Sequence, residues 1–222
     1  MEFTLLWAAL TAALLAWVGL RLWPEHLPEH GFDRLLTAAV SGLFVGRLVA
    51  MVTQGINPVL SPGDILILRG GVHTGAATAT FLLVLWWGNR RDPLGADAVA
   101  AAALLGLAGW HGGCLWRGAC LGSASDLPWA WVLDGSTVTR HPVEVYAALA
   151  LALGAWGVSR LGWRPFLKVG SALAIASLVR LLTEPLRPSL SGGPVAWYLT
   201  GAALGLVLVA IGPRLARALD PT

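Results

Sequence analysis

Charge is scarce in this chain, and lysine is almost missing. Only 12% of its 222 residues are Asp, Glu, Lys or Arg, against a hydrophobic share of 56% and a mean hydropathy of +0.70. That balance excludes an ordinary soluble domain. Of the 15 cations only Lys168 is lysine. The net charge of +3 is dispersed without a basic stripe, which excludes a nucleic-acid partner. Cysteine is nearly absent as well. Cys114 and Cys120 give no disulfide framework, and on one continuous helix their spacing turns them to different faces. With His111 they make three zinc ligands without a fourth, so no metal is expected, and no cofactor either. The start, Met1-Glu2-Phe3, has no basic region, and no small-residue cleavage motif closes the first apolar run. The expectation is a retained first span. Internal repeats are missing too, which weighs against a small-solute transporter, since many transporter folds are built on inverted repeats.

What fills the chain is apolar sequence. A membrane span needs about 20 predominantly apolar residues. Seven segments qualify, at roughly 4–22, 34–56, 71–88, 96–116, 142–159, 168–186 and 194–212. They predict an all-α polytopic membrane protein, residues 1–222 forming a single transmembrane domain of about seven helices. Arg21, Arg34, Arg90, Arg91, Arg160, Arg164, Lys168, Arg214 and Arg217 fall on one side of that arrangement. Arg69, Arg117, Arg140 and Arg187 fall on the other. The positive-inside rule makes the first group cytoplasmic, with the N-terminus out and the C-terminus in. Residues 57–70 and 117–141 then read as outer interfacial segments. The tryptophans Trp7, Trp23, Trp86, Trp87, Trp129, Trp131, Trp163 and Trp197 suit the two interfacial belts.

The residues that do not belong in such a chain are its buried charges. A charged side chain at bilayer depth costs roughly 2.5–3.5 kcal/mol on insertion scales, so it persists mainly where it is paired or serves a site. Arg180, Glu184 and Arg187 share one face if the helix continues through them, and Arg180 and Glu184 could equally be a structural ion pair. Arg47 lies mid-span with no acid in its own segment. His73 stands among glycines at the start of a span, where backbone can approach a ligand closely. Arg140 precedes His141-Pro142 at a helix start, and Glu144 suits the positive end of that helix.

Five segments in series carry a resemblance: Gly46-Arg47-Leu48; Gly70-Gly71-Val72-His73-Thr74-Gly75; His111-Gly112-Gly113-Cys114-Leu115-Trp116-Arg117-Gly118-Ala119-Cys120-Leu121-Gly122; Arg140-His141-Pro142 with Tyr146; and Arg180, Glu184, Arg187. In this order, over about residues 33–190, the chain resembles the prolipoprotein diacylglyceryl transferase family of bacterial inner membranes. The family signature opens with Arg and carries Asn three residues on, where this chain has His111 and Cys114. A Glu commonly follows the family's Tyr, where this chain has Ala147.

The resemblance implies a reaction, transfer of a diacylglyceryl group from phosphatidylglycerol to the thiol of a lipobox cysteine in a preprolipoprotein, releasing glycerol phosphate. It implies a multi-pass protein of the inner membrane, acting as a monomer, with its site on the outer side. Arginine suits the phosphate because its fork donates two hydrogen bonds and a fixed charge. Histidine suits proton removal near neutrality. His73, Arg180 and Glu184 are then the expected catalytic residues, with Arg180 on phosphate and Glu184 orienting it. Arg47, His111, Gly122, Arg140, Tyr146 and Arg187 are expected to bind substrate. Two other readings stay open: a divergent paralogue that binds phospholipid or transfers it to another acceptor, and a small-solute transporter.

Overall fold

Helices fall on all seven apolar segments. A computed structural model describes residues 3–66, 71–90, 92–117, 120–132, 135–187 and 194–219. The long helices are α1 (Phe3–Leu22), α2 (Gly31–Thr53), α4 (Thr74–Asn89), α5 (Pro93–Gly112), α7 (Val143–Ser159), α8 (Leu167–Thr183) and α9 (Val195–Leu219). A single turn, α3 (Gly63–Leu66), and a short hairpin, β1 (Trp131–Val132) with β2 (Thr139–Arg140), lie in the expected interfacial segments, while a second single turn, α6 (Cys114–Arg117), takes the end of the expected fourth span, because α5 stops at Gly112. Among the described residues, four stretches are long and apolar enough to cross a bilayer: Gly31–Thr53, Pro93–Gly112, Leu167–Leu186 and Val195–Arg217. Arg69 and Gly70 lie outside the described residues, as do Arg91, Gly118 and Ala119.

The contacts divide the chain into two compact units, residues 1–27 with 93–222 and residues 28–92. In the first, α5 packs against α1, α7 and α8, and α9 packs against α8. Small residues permit the close approach, as expected where lipid leaves no hydrophobic drive between helices. A Cβ on Gly109 would lie 2.9 Å from the Ala12 Cα, and one on Gly205 would lie 2.6 Å from the Ala174 nitrogen. Leu104, Leu151, Val158 and Val179, with Ala101, Ala108, Ala147 and Ala155, fill the core between α5, α7 and α8. In the second unit α2 packs on α4, where Gly42 and Gly46 lie against Ala77.

Both ends of the first unit are pinned by polar contacts. At one end Asp97, fully buried near the start of α5, accepts a hydrogen bond from the Val169 nitrogen at 2.8 Å and so caps α8 from a neighbouring helix. Lys168 sits there over the Trp163 ring at 3.5 Å, and the Trp163 indole donates to Glu25 at 3.0 Å. The candidate site lies at the other end.

Candidate active site

Three helix ends meet where His111 closes α5, Glu144 opens α7 and Arg187 follows α8. Pro185 lacks the N–H a continuing α-helix needs, so α8 stops at Thr183 and Glu184–Leu186 form a 3₁₀ turn. Glu184 itself keeps helical dihedrals, and its nitrogen donates to the Arg180 carbonyl. As its spacing suggests, the Glu184 carboxylate approaches the Arg187 Nε at 3.8 Å, whereas Arg180 donates to the Tyr198 hydroxyl, from Nε at 3.3 Å and from Nη2 at 2.9 Å. Tyr198, on the first turn of α9, is 5% exposed and holds the guanidinium against its ring.

Glu144 is the hub. One of its oxygens meets the His111 Nδ1 at 2.5 Å, and the other accepts a hydrogen bond from the Arg187 Nη1. The three side chains are between 9 and 17% exposed. A buried charge needs pairing, and here one carboxylate serves two partners from different helices. The first-turn position of Glu144 is as expected, but satisfying the helix end is the lesser part of its role. Arg187 keeps two further donors, Nε and Nη2, that are buried without a hydrogen-bond partner among the described residues. Buried donors are ordinarily satisfied, so a guanidinium with two unused ones is arranged to receive an acceptor.

The segment from Cys120 to Ser123 threads between these elements. Gly122 donates to the His141 carbonyl at 2.7 Å, Ser123 to the Leu186 carbonyl at 2.8 Å, and the Glu144 nitrogen to the Cys120 carbonyl at 3.3 Å. A Cβ on Gly122 would collide with the Leu186 carbonyl and with Val143, so only glycine fits there. The Arg140 Nη1 donates to the Gly122 carbonyl at 3.1 Å. The Tyr146 hydroxyl accepts from the Trp129 indole at 2.8 Å, which ties residues 123–141 to α7.

Cys114 and Cys120 are joined by a disulfide, with Cα atoms 5.0 Å apart. This corrects the expectation from a continuous helix. The α5 helix ends at Gly112, where Gly113 presses on Ala8, and α6 lasts a single turn, so Cys120 lies off the helix. The bridge fastens the end of α5, which carries His111, to the strand-like segment that carries Gly122. A loop this short yields about 2 kcal/mol of stabilisation on the chain-entropy account. Reduction, or the double replacement Cys114→Ser with Cys120→Ser, should therefore lower the thermal unfolding midpoint by several degrees in detergent solution. An unchanged midpoint would mean that the bridge restrains nothing that packing does not already hold.

The second unit holds the other two predicted residues. Arg47 is 4% exposed and finds its partners in backbone, not in an acid. Its Nε and Nη2 donate to the Asp64 carbonyl at 3.1 and 2.9 Å, and its Nη1 donates to the Gly71 carbonyl at 3.1 Å. It thereby staples the interfacial turn α3 and the start of the 71–73 segment to α2. His73 is the residue capping α4: its Nδ1 accepts from the Ala76 nitrogen at 3.2 Å, while its own nitrogen donates to the Gly46 carbonyl at 2.9 Å.

The first unit thus brings together His111, Gly122, Arg140, Glu184 and Arg187, with Arg180 close enough to act on His111 through its charge. Two members are new. In sequence Glu144 reads only as suiting a helix start and Tyr198 is not singled out, because their partners lie 18 to 43 positions away.

Comparison with known proteins points to one family. The family model for prolipoprotein diacylglyceryl transferase matches residues 3–216. A phosphatidylglycerol–prolipoprotein diacylglyceryl transferase of Solidesulfovibrio magneticus is 29% identical over 81% of this chain and 74% of its own length. Proteins of the same name from Azotobacter vinelandii and Pseudomonas fluorescens are 28% and 30% identical, over 84% and 85% of this chain and 76% of theirs.

Proposed function

The chain belongs to the prolipoprotein diacylglyceryl transferase family, and on that premise we propose that it moves the diacylglyceryl group of phosphatidylglycerol to a lipobox cysteine thiol. The observation that carries the reading is the pair of unused donors on buried Arg187, at a cluster where a second arginine is fixed by Tyr198. A phosphodiester is the acceptor these groups suit. Its non-bridging oxygens match the guanidinium fork, and the charge that builds on it as the ester carbon leaves is held in a site of low dielectric. Glu144 does not cancel both arginines, because its second oxygen is committed to His111.

In this reading the thiolate sulfur attacks the glyceryl carbon that bears the phosphate. The C–O bond breaks as the C–S bond forms, and glycerol phosphate departs. Arg187 and Arg180 hold the phosphate, and Glu184 keeps Arg187 turned toward it. Arg140 and Gly122 shape the wall of the site, and Arg47 and His73 brace α3 and the start of α4. The seven apolar helices cross the bilayer with the C-terminus in the cytoplasm and the site at the outer leaflet. Two facts support that orientation. The cations Arg21, Arg160, Arg164, Lys168, Arg214 and Arg217 sit at the end of the first unit opposite the site, and the Cys114–Cys120 bridge suits an oxidising compartment.

The test is direct. Purified protein, phosphatidylglycerol vesicles and a lipobox-cysteine peptide should give a peptide heavier by one diacylglyceryl group, read by mass spectrometry. Saturable binding of phosphatidylglycerol without any modified peptide would overturn the reading in favour of a phospholipid-binding paralogue.

A further inference from the structure

We infer that His111, held by Glu144, is the general base that ionises the acceptor thiol, and that His73 is not. The inference rests on the transferase reading and assigns its proton-transfer step. A neutral imidazole has one nitrogen that donates and one that accepts, and the partner of one nitrogen fixes the role of the other. The His73 Nδ1 accepts from the Ala76 nitrogen at 3.2 Å, so its proton lies on Nε2. With its basic nitrogen spent on capping α4, neutral His73 presents only a donor. It can take up a proton only by giving up the cap.

His111 is arranged the other way round. Its Nδ1 lies 2.5 Å from a Glu144 oxygen, and a carboxylate there requires the proton on Nδ1. The lone pair of Nε2 is left as the base, and no described residue bonds to it. The carboxylate also favours the imidazolium that forms when the proton is taken, which is the logic of a carboxylate–histidine pair in nucleophile activation. Arg187 restrains the carboxylate from its other side, so the pair cannot rotate freely. Glu144 is thus a positioning residue and His111 the catalytic one. His141 has a buried Nδ1 without a described partner, but no carboxylate lies against it to favour its charged form.

The step balances. The thiol gives its proton to the His111 Nε2, the sulfur lone pair forms the C–S bond, and the electron pair of the broken C–O bond leaves on glycerol phosphate. The imidazolium then returns its proton to the departing phosphate or to water. Because Glu144 bonds both His111 and Arg187, the base stands beside a group that holds the leaving phosphate.

The discriminating experiment varies the acidity of the acceptor. A cysteine thiol is mostly protonated at neutral pH and needs a base, whereas a selenocysteine in the same lipobox peptide is already ionised. For His111→Gln the transfer rate to the thiol peptide should fall about 10²–10⁴-fold, while transfer to the selenol peptide falls far less. Glu144→Gln should show the same acceptor dependence at smaller size. His73→Gln should change both rates by one common factor. An equal loss with both acceptors for His111→Gln would make His111 structural and overturn the inference, as would an acceptor-dependent loss that appears in His73→Gln instead. Absence of transfer by the unaltered protein to either peptide would instead defeat the transferase reading itself.

Discussion

Replacement of Glu144 by Ala should destabilise the protein more than any other truncation in the charged cluster, by about 3–5 kcal/mol, because it strands a buried cation. The Arg187 Nη1 and the His111 Nδ1 both lose their acceptor at once, in surroundings where water is scarce. Arg187 already carries two donors without partners, so the loss would leave the guanidinium bonded to nothing described except the carboxylate of Glu184 at 3.8 Å. Glu144→Gln keeps the shape and one acceptor, and it should cost markedly less. Thermal unfolding of both variants in one detergent separates the two outcomes. If the Ala and Gln variants melt together near the unaltered protein, the cluster is solvated and its charges need no pairing. Double replacement with Arg187→Met should recover part of the loss, since removing both partners of a buried pair is less costly than removing one.

The same cluster explains what could be read in advance and what could not. The helices were legible because a bilayer imposes a length of about 20 residues, and the apolar stretches Gly31–Thr53 and Val195–Arg217 are 23 residues each. The interfacial character of 57–70 followed from Pro58 and Pro62-Gly63 interrupting an apolar stretch, and a helical turn stands at Gly63–Leu66. Side-chain partnership was not legible. Glu144 sits where any helix welcomes an acid, and nothing local says that its partners come from 33 residues before and 43 after. Spacing along the helix allowed an ion pair of Arg180 with Glu184, but Glu184 pairs with Arg187 and Tyr198 takes the arginine. Arg47 has no acid in its own span, and its partners, the backbone carbonyls of Asp64 and Gly71, lie 17 and 24 positions away. The cysteine bridge was not legible because periodicity holds only as far as the helix does, and Cys120 lies beyond it.

Loss of the charge at Arg180 should lower turnover on the scale expected for loss of the base at His111. Removing one preorganised donor from a site that stabilises developing charge typically costs about 10²–10³ in rate. Arg180→Gln should lose at least that much in kcat for transfer from phosphatidylglycerol, because a full charge goes along with the hydrogen bonds. The fold should tolerate the change. Among the described hydrogen bonds its guanidinium bonds only to the Tyr198 hydroxyl, and no buried carboxylate is orphaned by its removal. Tyr198→Phe offers the graded comparison, since it keeps the charge and the ring contact and removes only the hydroxyl that aims the fork. Its loss should be smaller and should fall on kcat, because a misaimed donor still attracts the headgroup but meets the leaving oxygens less well. Steady-state rates with phosphatidylglycerol vesicles and a lipobox peptide check both. If Arg180→Gln raises KM and leaves kcat alone, the arginine only binds the headgroup, and Arg187 stabilises the leaving phosphate by itself.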